Sequence, residues 1–228
     1  MRLLLLADIH GRTTSLRQTL MRVRDIEGVL VAGDITSYTG THWDEVINLL
    51  SEWCEDNGCT AYVVPGNADP KTIMRVKKEK VKILHIALEP FPPYVIGGIG
   101  GGLGFPFMDI PRLNDVELTL YVKRFISSYG PGLAPYSWIL LTHTPPYGTR
   151  LDILYTGEHV GSHGIRSLIE EKKPLLAVSG HIHESRGIEC LGKTVMVNPG
   201  PNYRGYFAVA EIEVSSGNVD VTLMKNSP

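Results

Sequence analysis

Long apolar runs are missing from this 228-residue chain, and so is an excess of charge of either sign. No stretch approaches the roughly 20 apolar residues that a membrane-spanning helix needs. The opening MRLLLLAD is too short for a secretory leader and runs into Asp8 with no small-residue cleavage site, so it reads as a first buried strand. With 22 Lys and Arg against 24 Asp and Glu, the net charge is -2, which argues against a general nucleic-acid or membrane-surface binder. Cysteine is scarce as well. Cys54, Cys59 and Cys190 are an odd set, which argues against a disulfide framework and for a reducing, cytoplasmic compartment. Cys54 and Cys59 lack the second pair of a zinc knuckle and read as packing thiols. Internal repeats, low-complexity tracts and linkers are absent too, so one domain over residues 1–228 is expected. A homo-oligomer is compatible with the sequence, but no surface stripe specifies one.

What the chain does have is a series of short apolar runs, most of them separated by helical patterns. Leu3 to Ala7, Val29 to Gly33 and Ala61 to Val64 read as strands buried on both faces. Between them, Thr13 to Arg24 and Thr41 or His42 to Asn57 read as helices, the second closed by Gly58. This alternation predicts parallel pairing. Asp69 and Pro70 read as the N-cap and first residue of a further helix. The middle holds a Gly-rich apolar strand from Tyr94, the loose segment FPFMDIPRLND, a helix capped by Asn114 or Asp115, the strand Trp138–Thr142, a helix near Ser162–Lys172 and the strand Leu175–Ser179. The end reads as two hairpins, Gly187–Cys190 with Thr194–Val197 and Tyr206–Val214 with Val219–Met224. The pattern predicts an α/β fold, with two mixed sheets packed face to face and helices outside.

Seven potential metal ligands end or follow these runs: Asp8 and His10, Asp34, Asn67, His143, and His181 with His183. In an extended segment, residues two apart point to the same side, so Asp8 with His10 and His181 with His183 could each face one cation. A carboxylate with imidazoles suits Mn, Fe, Zn or Ni better than Ca. Taken singly, each piece has a plainer reading: a solvated pair at Asp8 and His10, a helix N-cap at Asp34, a turn residue at Asn67. Five strand ends in a row make those readings hard to sustain together. The stretch IGGIGGGLGF is not a nucleotide loop, because no Lys-Ser/Thr follows, and reads as close sheet packing. No HxHxDH cluster of a metallo-β-lactamase-type hydrolase occurs.

The ordered pattern DxH, GD, GN, H, GHxH resembles the calcineurin-like metallophosphoesterases over residues 3 to 200. LTHTPPYGT, GHIHESRG and Asn198-Pro199-Gly200 are similar to the small prokaryotic, Icc-like members. The resemblance implies a four-layer αββα sandwich of two mixed β-sheets flanked by helices. It also implies two divalent metal ions, with Mn favoured and Fe, Zn, Ni or Co as alternatives. One ion would take Asp8, His10 and His183, the other Asn67, His143 and His181, with Asp34 bridging. A metal-bridging hydroxide would attack a small phosphate-ester substrate in line.

One departure stands out. Family members often carry a histidine after the motif Asn as general acid, and this chain has Ala68 there. A positioned general acid is worth roughly 10²–10⁴ in rate. Its loss shifts the expected activity toward phosphodiesters, with phosphomonoesterase or a catalytically weak interaction scaffold as alternatives. His159 and His163 are candidates to replace the acid, and Arg12 is a candidate to meet the substrate phosphate. Asp69, without that histidine, reads as a helix cap.

Overall fold

Alternation along β1 (Arg2–Leu6) sets the layers. Leu3 and Leu5 point into one apolar cluster and Leu4 and Leu6 into another, as side chains on opposite faces of a strand must. In this computed structural model, which describes residues 1–37, 42–104 and 113–226, the first cluster lies between two sheets and the second under helices.

The first sheet is built on β1, β2 (Gly28–Ala32) and β3 (Thr60–Val64), paired in parallel as the alternation predicts, with β4 (Val81–Ile83) added in parallel beside β3. The last hairpin, β11 (Tyr206–Glu213) and β12 (Asn218–Lys225), adds antiparallel to the other side of β1. The second sheet runs β5 (Ala87–Phe91), β6 (Tyr94–Ile99), β7 (Trp138–Thr142), β8 (Leu176–Val178), β10 (Thr194–Asn198), β9 (Gly187–Leu191). Both sheets have six strands and both are mixed.

Helices α1 (Thr13–Arg22) and α2 (Trp43–Asp56) cover the first sheet through Leu16, Leu20, Val46 and Leu50. Helices α3 (Asp115–Tyr129) and α4 (His163–Lys172) cover the second through Val122, Phe125, Ile165 and Leu168, packed on Trp138 and Leu140. The four-layer αββα sandwich is the observed fold. Asn114 caps α3 in a reciprocal capping box with Glu117, and Ser162 caps α4. No helix among the described residues is long and apolar enough to cross a membrane.

Two readings of the sequence change. Strands β4 and β5 were not anticipated; both are short, and only half of their residues or fewer are buried, so their apolar signal is weak. Asp69 does not cap a helix. Pro70 is extended and only a 3-10 turn, Lys71–Arg75, follows it. The buried Asp69 carboxylate instead accepts the amides of Gly66 (2.8 Å) and Thr36 (2.9 Å), tying the loop after β3 to the loop after β2. The loose segment FPFMD and the helix start at Thr41 lie outside the described residues; the alternative start, His42, directly precedes α2.

Candidate metal centre

Parallel strands present all their C-terminal ends at one edge. Here β1, β2 and β3 of one sheet and β7 and β8 of the other deliver their following loops to the same edge. Backbone hydrogen bonds lock those loops together: Asp8 N–H to Gly33 O (3.0 Å), His10 N–H to Asp34 O (2.9 Å) and Gly180 N–H to His143 O (3.0 Å). The chain turns there at a cost. Asp8 (φ 51°), His10 (φ 48°), Asp34 (φ 53°) and His181 (φ 70°) all lie in the left-handed region. Such conformations cost on the order of 1–3 kcal/mol each and cluster at functional sites.

This backbone is not the extended one expected, yet Asp8 and His10 still bring their donor atoms together, whereas the expectation that His181 and His183 face one way is overturned. The two histidines of the second pair separate. His183 Nε2 approaches Asp8 Oδ1 (3.3 Å) and His10 Nε2 (3.4 Å), whereas the His181 ring packs on His143, with centroids 4.8 Å apart. Asp34 is not a helix N-cap, since the next helix starts at Trp43.

The side chains form two adjoining groups. Donor atoms of Asp8, His10 and His183 lie within 4.8 Å of one another, and so do those of Asp8, Asp34 and His143. Asn67 Oδ1 is 3.0 Å from His143 Nε2. The two Asp34 oxygens face different groups, Oδ2 at 3.8 Å from His10 Nε2 and Oδ1 at 3.5 Å from His143 Nε2. Backbone carbonyls aim two of the rings: His143 Nδ1 pairs with Ala32 O (2.7 Å) and His10 Nδ1 with Thr36 O (3.2 Å), which turns each Nε2 toward the carboxylates. Two glycines are needed for the approach. A Cβ on Gly66 would overlap Asp34 Oδ1, and one on Gly102, in the Gly-rich stretch, would overlap Asn67 Oδ1.

Charge is finely divided. Burial works to raise the Asp8 carboxyl pKa, but the hydrogen bond from His183 and the nearby imidazoles outweigh it and the net shift is downward. Burial raises the Asp34 carboxyl; His143 opposes it, Asp69 and Asp8 add to it, and the net shift is upward. Burial lowers His143, yet Asp34 and Asp8 pull it above its usual value. Burial and then the His143 charge push His181 down to about 3, so its imidazole is neutral at neutral pH.

Among the described residues, the only ion-pair partners of Asp8 and Asp34 are histidines, with no Lys or Arg. Buried carboxylates of this kind are stabilised by pairing or by coordinating metal. Oxygen and imidazole donors, aimed and dehydrated, fit a pair of divalent transition-metal ions.

The other candidates fall outside the two donor groups. Ala68 is buried, and its N–H donates to Asp34 Oδ1 (2.8 Å). His159 is exposed, and its Nδ1 pairs with the buried Asp152 carboxylate (2.7 Å), which also accepts the amides of Gly148, Thr149 and Gly161. His163 opens α4 and stacks on Tyr147, with centroids 3.9 Å apart. Arg12 lies exposed just before α1.

Sequence reasoning missed Asp152 and Tyr203. The Tyr203 ring sits 5.4 Å from those of both His10 and His183, and its hydroxyl is 3.4 Å from His183 Nδ1. The signal for Tyr203 was its place just after Asn198-Pro199-Gly200. That motif has a physical role here: the Asn198 amide donates to Ile182 O (2.9 Å), between the two loop histidines.

A site of this construction on an αββα sandwich defines a class of metal-dependent hydrolases. The chain belongs to the calcineurin-like phosphoesterase family, whose model matches residues 1–185. It is 30% identical over 213 residues to an uncharacterized protein of Methanocaldococcus jannaschii, covering 91% of this chain and 90% of the relative. Among solved structures, TT1561 of Thermus thermophilus superposes with a TM-score of 0.70 at 18% identity, covering 97% of both chains. A dimetal phosphatase from Danio rerio superposes with a TM-score of 0.59 at 10% identity, covering 100% of this chain and 99% of that one. At these identities the structural likeness speaks for the fold.

Proposed function

We propose that this chain is a dinuclear metal-dependent phosphoesterase, acting on phosphodiesters in preference to monoesters, with residues 1–228 working as one domain. The observation that carries the reading is the meeting of seven donor side chains from five strand ends at one edge. Asp8, His10 and His183 would hold one ion, Asn67, His143 and His181 the other, and Asp34, with one oxygen toward each group, would bridge them. Two bound dications supply a water of lowered pKa and offset the charge of the phosphate oxygens. Mn is the ion we favour.

The residues themselves do the positioning. The carbonyls of Ala32 and Thr36 hold two imidazoles in the tautomer that leaves Nε2 free, and the Ala68 amide fixes one Asp34 oxygen. Ala68 itself cannot give a proton to a leaving oxygen, which favours esters whose leaving group departs with little help. His159, oriented by Asp152, is the side chain we assign to any proton donation from the loop after β7, ahead of His163, whose ring is covered on one face by Tyr147.

The test is hydrolysis of bis-p-nitrophenyl phosphate beside p-nitrophenyl phosphate by protein stripped of metal and reloaded with Mn²⁺, Zn²⁺, Ni²⁺ or Mg²⁺. Metal-dependent release mainly from the diester is expected. Release mainly from the monoester would reverse the substrate class, and no release with any metal would refute the enzyme reading.

A further inference from the structure

Beside the metal edge lies a second concavity of about 560 Å³. Its walls include Arg12, Ser15, Tyr203, Arg204, Lys225 and Asn226, and none of its lining residues is acidic. Three cations on a chain of net charge -2 therefore face one hollow with no carboxylate among them. The Lys and Arg ion pairs of the described residues involve Arg2, Lys80, Arg166 and Lys172, and not these three. Aromatic rings hold two of the cations in place. Lys225 Nζ lies 4.8 Å from the centre of the Tyr206 ring, and the Arg204 guanidinium carbon 5.2 Å from that of Tyr203. The Asn226 amide is already spent on Ser15 O and Thr19 Oγ1, and the Ser15 hydroxyl on Asn202 O, so the polar floor is rigid. The Arg204 guanidinium is further held by hydrogen bonds to Tyr203 and Tyr155, neither of which cancels its charge.

The hollow is joined to the candidate metal centre by Tyr203. One ring forms part of its wall and also packs against His10 and His183. Arg12 arrives by the same route, two residues after His10. A ligand reacting at the metal edge therefore has an electropositive hollow beside it.

We propose that this hollow is a binding site for a second anionic group, a phosphate carried on one arm of the ester, so that substrates are phosphodiesters bearing a further phosphate. Guanidinium and ammonium groups without carboxylate partners match a phosphate dianion in charge and hydrogen-bonding capacity. The assignment to a substrate arm rests on the phosphoesterase reading; the anion site itself does not.

The experiment has two arms. In the first, isothermal titration calorimetry measures thymidine 3′,5′-bisphosphate binding to the metal-free protein. Arg204→Ala and Lys225→Ala, both exposed positions, should each weaken binding by about tenfold, the loss of one charge-assisted contact. Lys82→Ala, which lies outside this hollow, should leave it unchanged. Absent binding, or equal weakening in all three variants, would overturn the anion site.

In the second arm, the Mn²⁺-loaded protein hydrolyses thymidine 5′-p-nitrophenyl phosphate with and without a 3′-phosphate. The 3′-phosphate should lower KM, and the kcat/KM ratio of the two esters should fall toward one in Arg204→Ala and Lys225→Ala. Intact metal-free binding with no preference between the esters would overturn the assignment to a substrate arm. Intact binding with no turnover of either ester would refute the phosphoesterase reading and, with it, that assignment, while supporting the anion site.

Discussion

Strand β1 and the loop that follows it show two ways of using burial, a few residues apart. Leu3 to Leu6 are fully buried in regular strand geometry, and each fills apolar space. Asp8 and His10 are also buried, but in left-handed backbone, with charge to satisfy. The interior of the sandwich is stabilised by area removed from water, a property spread over many residues. The ligand edge carries strain and dehydrated carboxylates that the interior must support. Stability and function are therefore expected to separate along the same strands.

Substituting the edge should have the largest effect. Asp34→Asn keeps the shape and the acceptor for the Ala68 amide but removes the charge between the two groups. It is expected to abolish metal-dependent diester hydrolysis and to lower bound metal, read by plasma mass spectrometry, while the metal-free protein unfolds at a denaturant midpoint no lower than the parent's. Parent-like turnover would remove Asp34 from the bridging role. The opposite pattern is expected inside the sandwich. Leu30→Ala, in the cluster between the sheets, should cost about 2–5 kcal/mol in chemical denaturation. The folded variant should still bind metal; a matching loss of affinity would mean that core and edge are not separable.

Metal removal links the two regions more gently. An ion present at 100 times its Kd stabilises the folded state by about 2.7 kcal/mol. Chelation should therefore lower Tm and reloading should restore it, with Asp34→Asn showing little of either change. A Tm indifferent to metal in the parent would mean that the buried carboxylates are stable without cations.

The smallest effect is expected at His85, which is neither a ligand candidate nor part of the apolar cluster between the sheets. Burial, opposed by a hydrogen bond to the Gly100 backbone and aided by the Arg124 charge, lowers its pKa. The unfolded chain thus takes up the proton first as pH falls below about 6.5, so stability is present above that pH and declines below it. Chemical denaturation at pH 7.5 and 5.5 should show a smaller decline for His85→Gln than for the parent. Equal declines would assign the pH dependence elsewhere.

Legibility followed signal strength. The central strands β1, β2, β3 and β7 could be read because they are continuous apolar runs, and the parallel pairing of the first three followed from the intervening helices. Strands β4 and β5 are half exposed and carry no such run. The seven ligand candidates were legible as residue types after strands. Extended geometry did not hold for Asp8, His10 and His181, since left-handed backbone leaves no trace in residue type at Asp or His positions. Asp69 shows the same limit. Asp-Pro is a helix-start signal locally, yet two amides from separate loops claimed its carboxylate.

The sequence by itself determined the layers, the order of the strand ends and the chemistry of the donors, because hydrophobic period and residue type are local properties. Which donors meet is not a local property: the family resemblance implied the grouping, and it is the tertiary structure that sets His183 beside Asp8 and His10, turns His181 to His143 and points Asp34 toward both groups. It also brought Arg12, Arg204 and Lys225, far apart in the chain, around one hollow. The reason is physical. Those meetings depend on where two sheets cross and how four strained residues turn the backbone, and neither is encoded within reach of a sequence window.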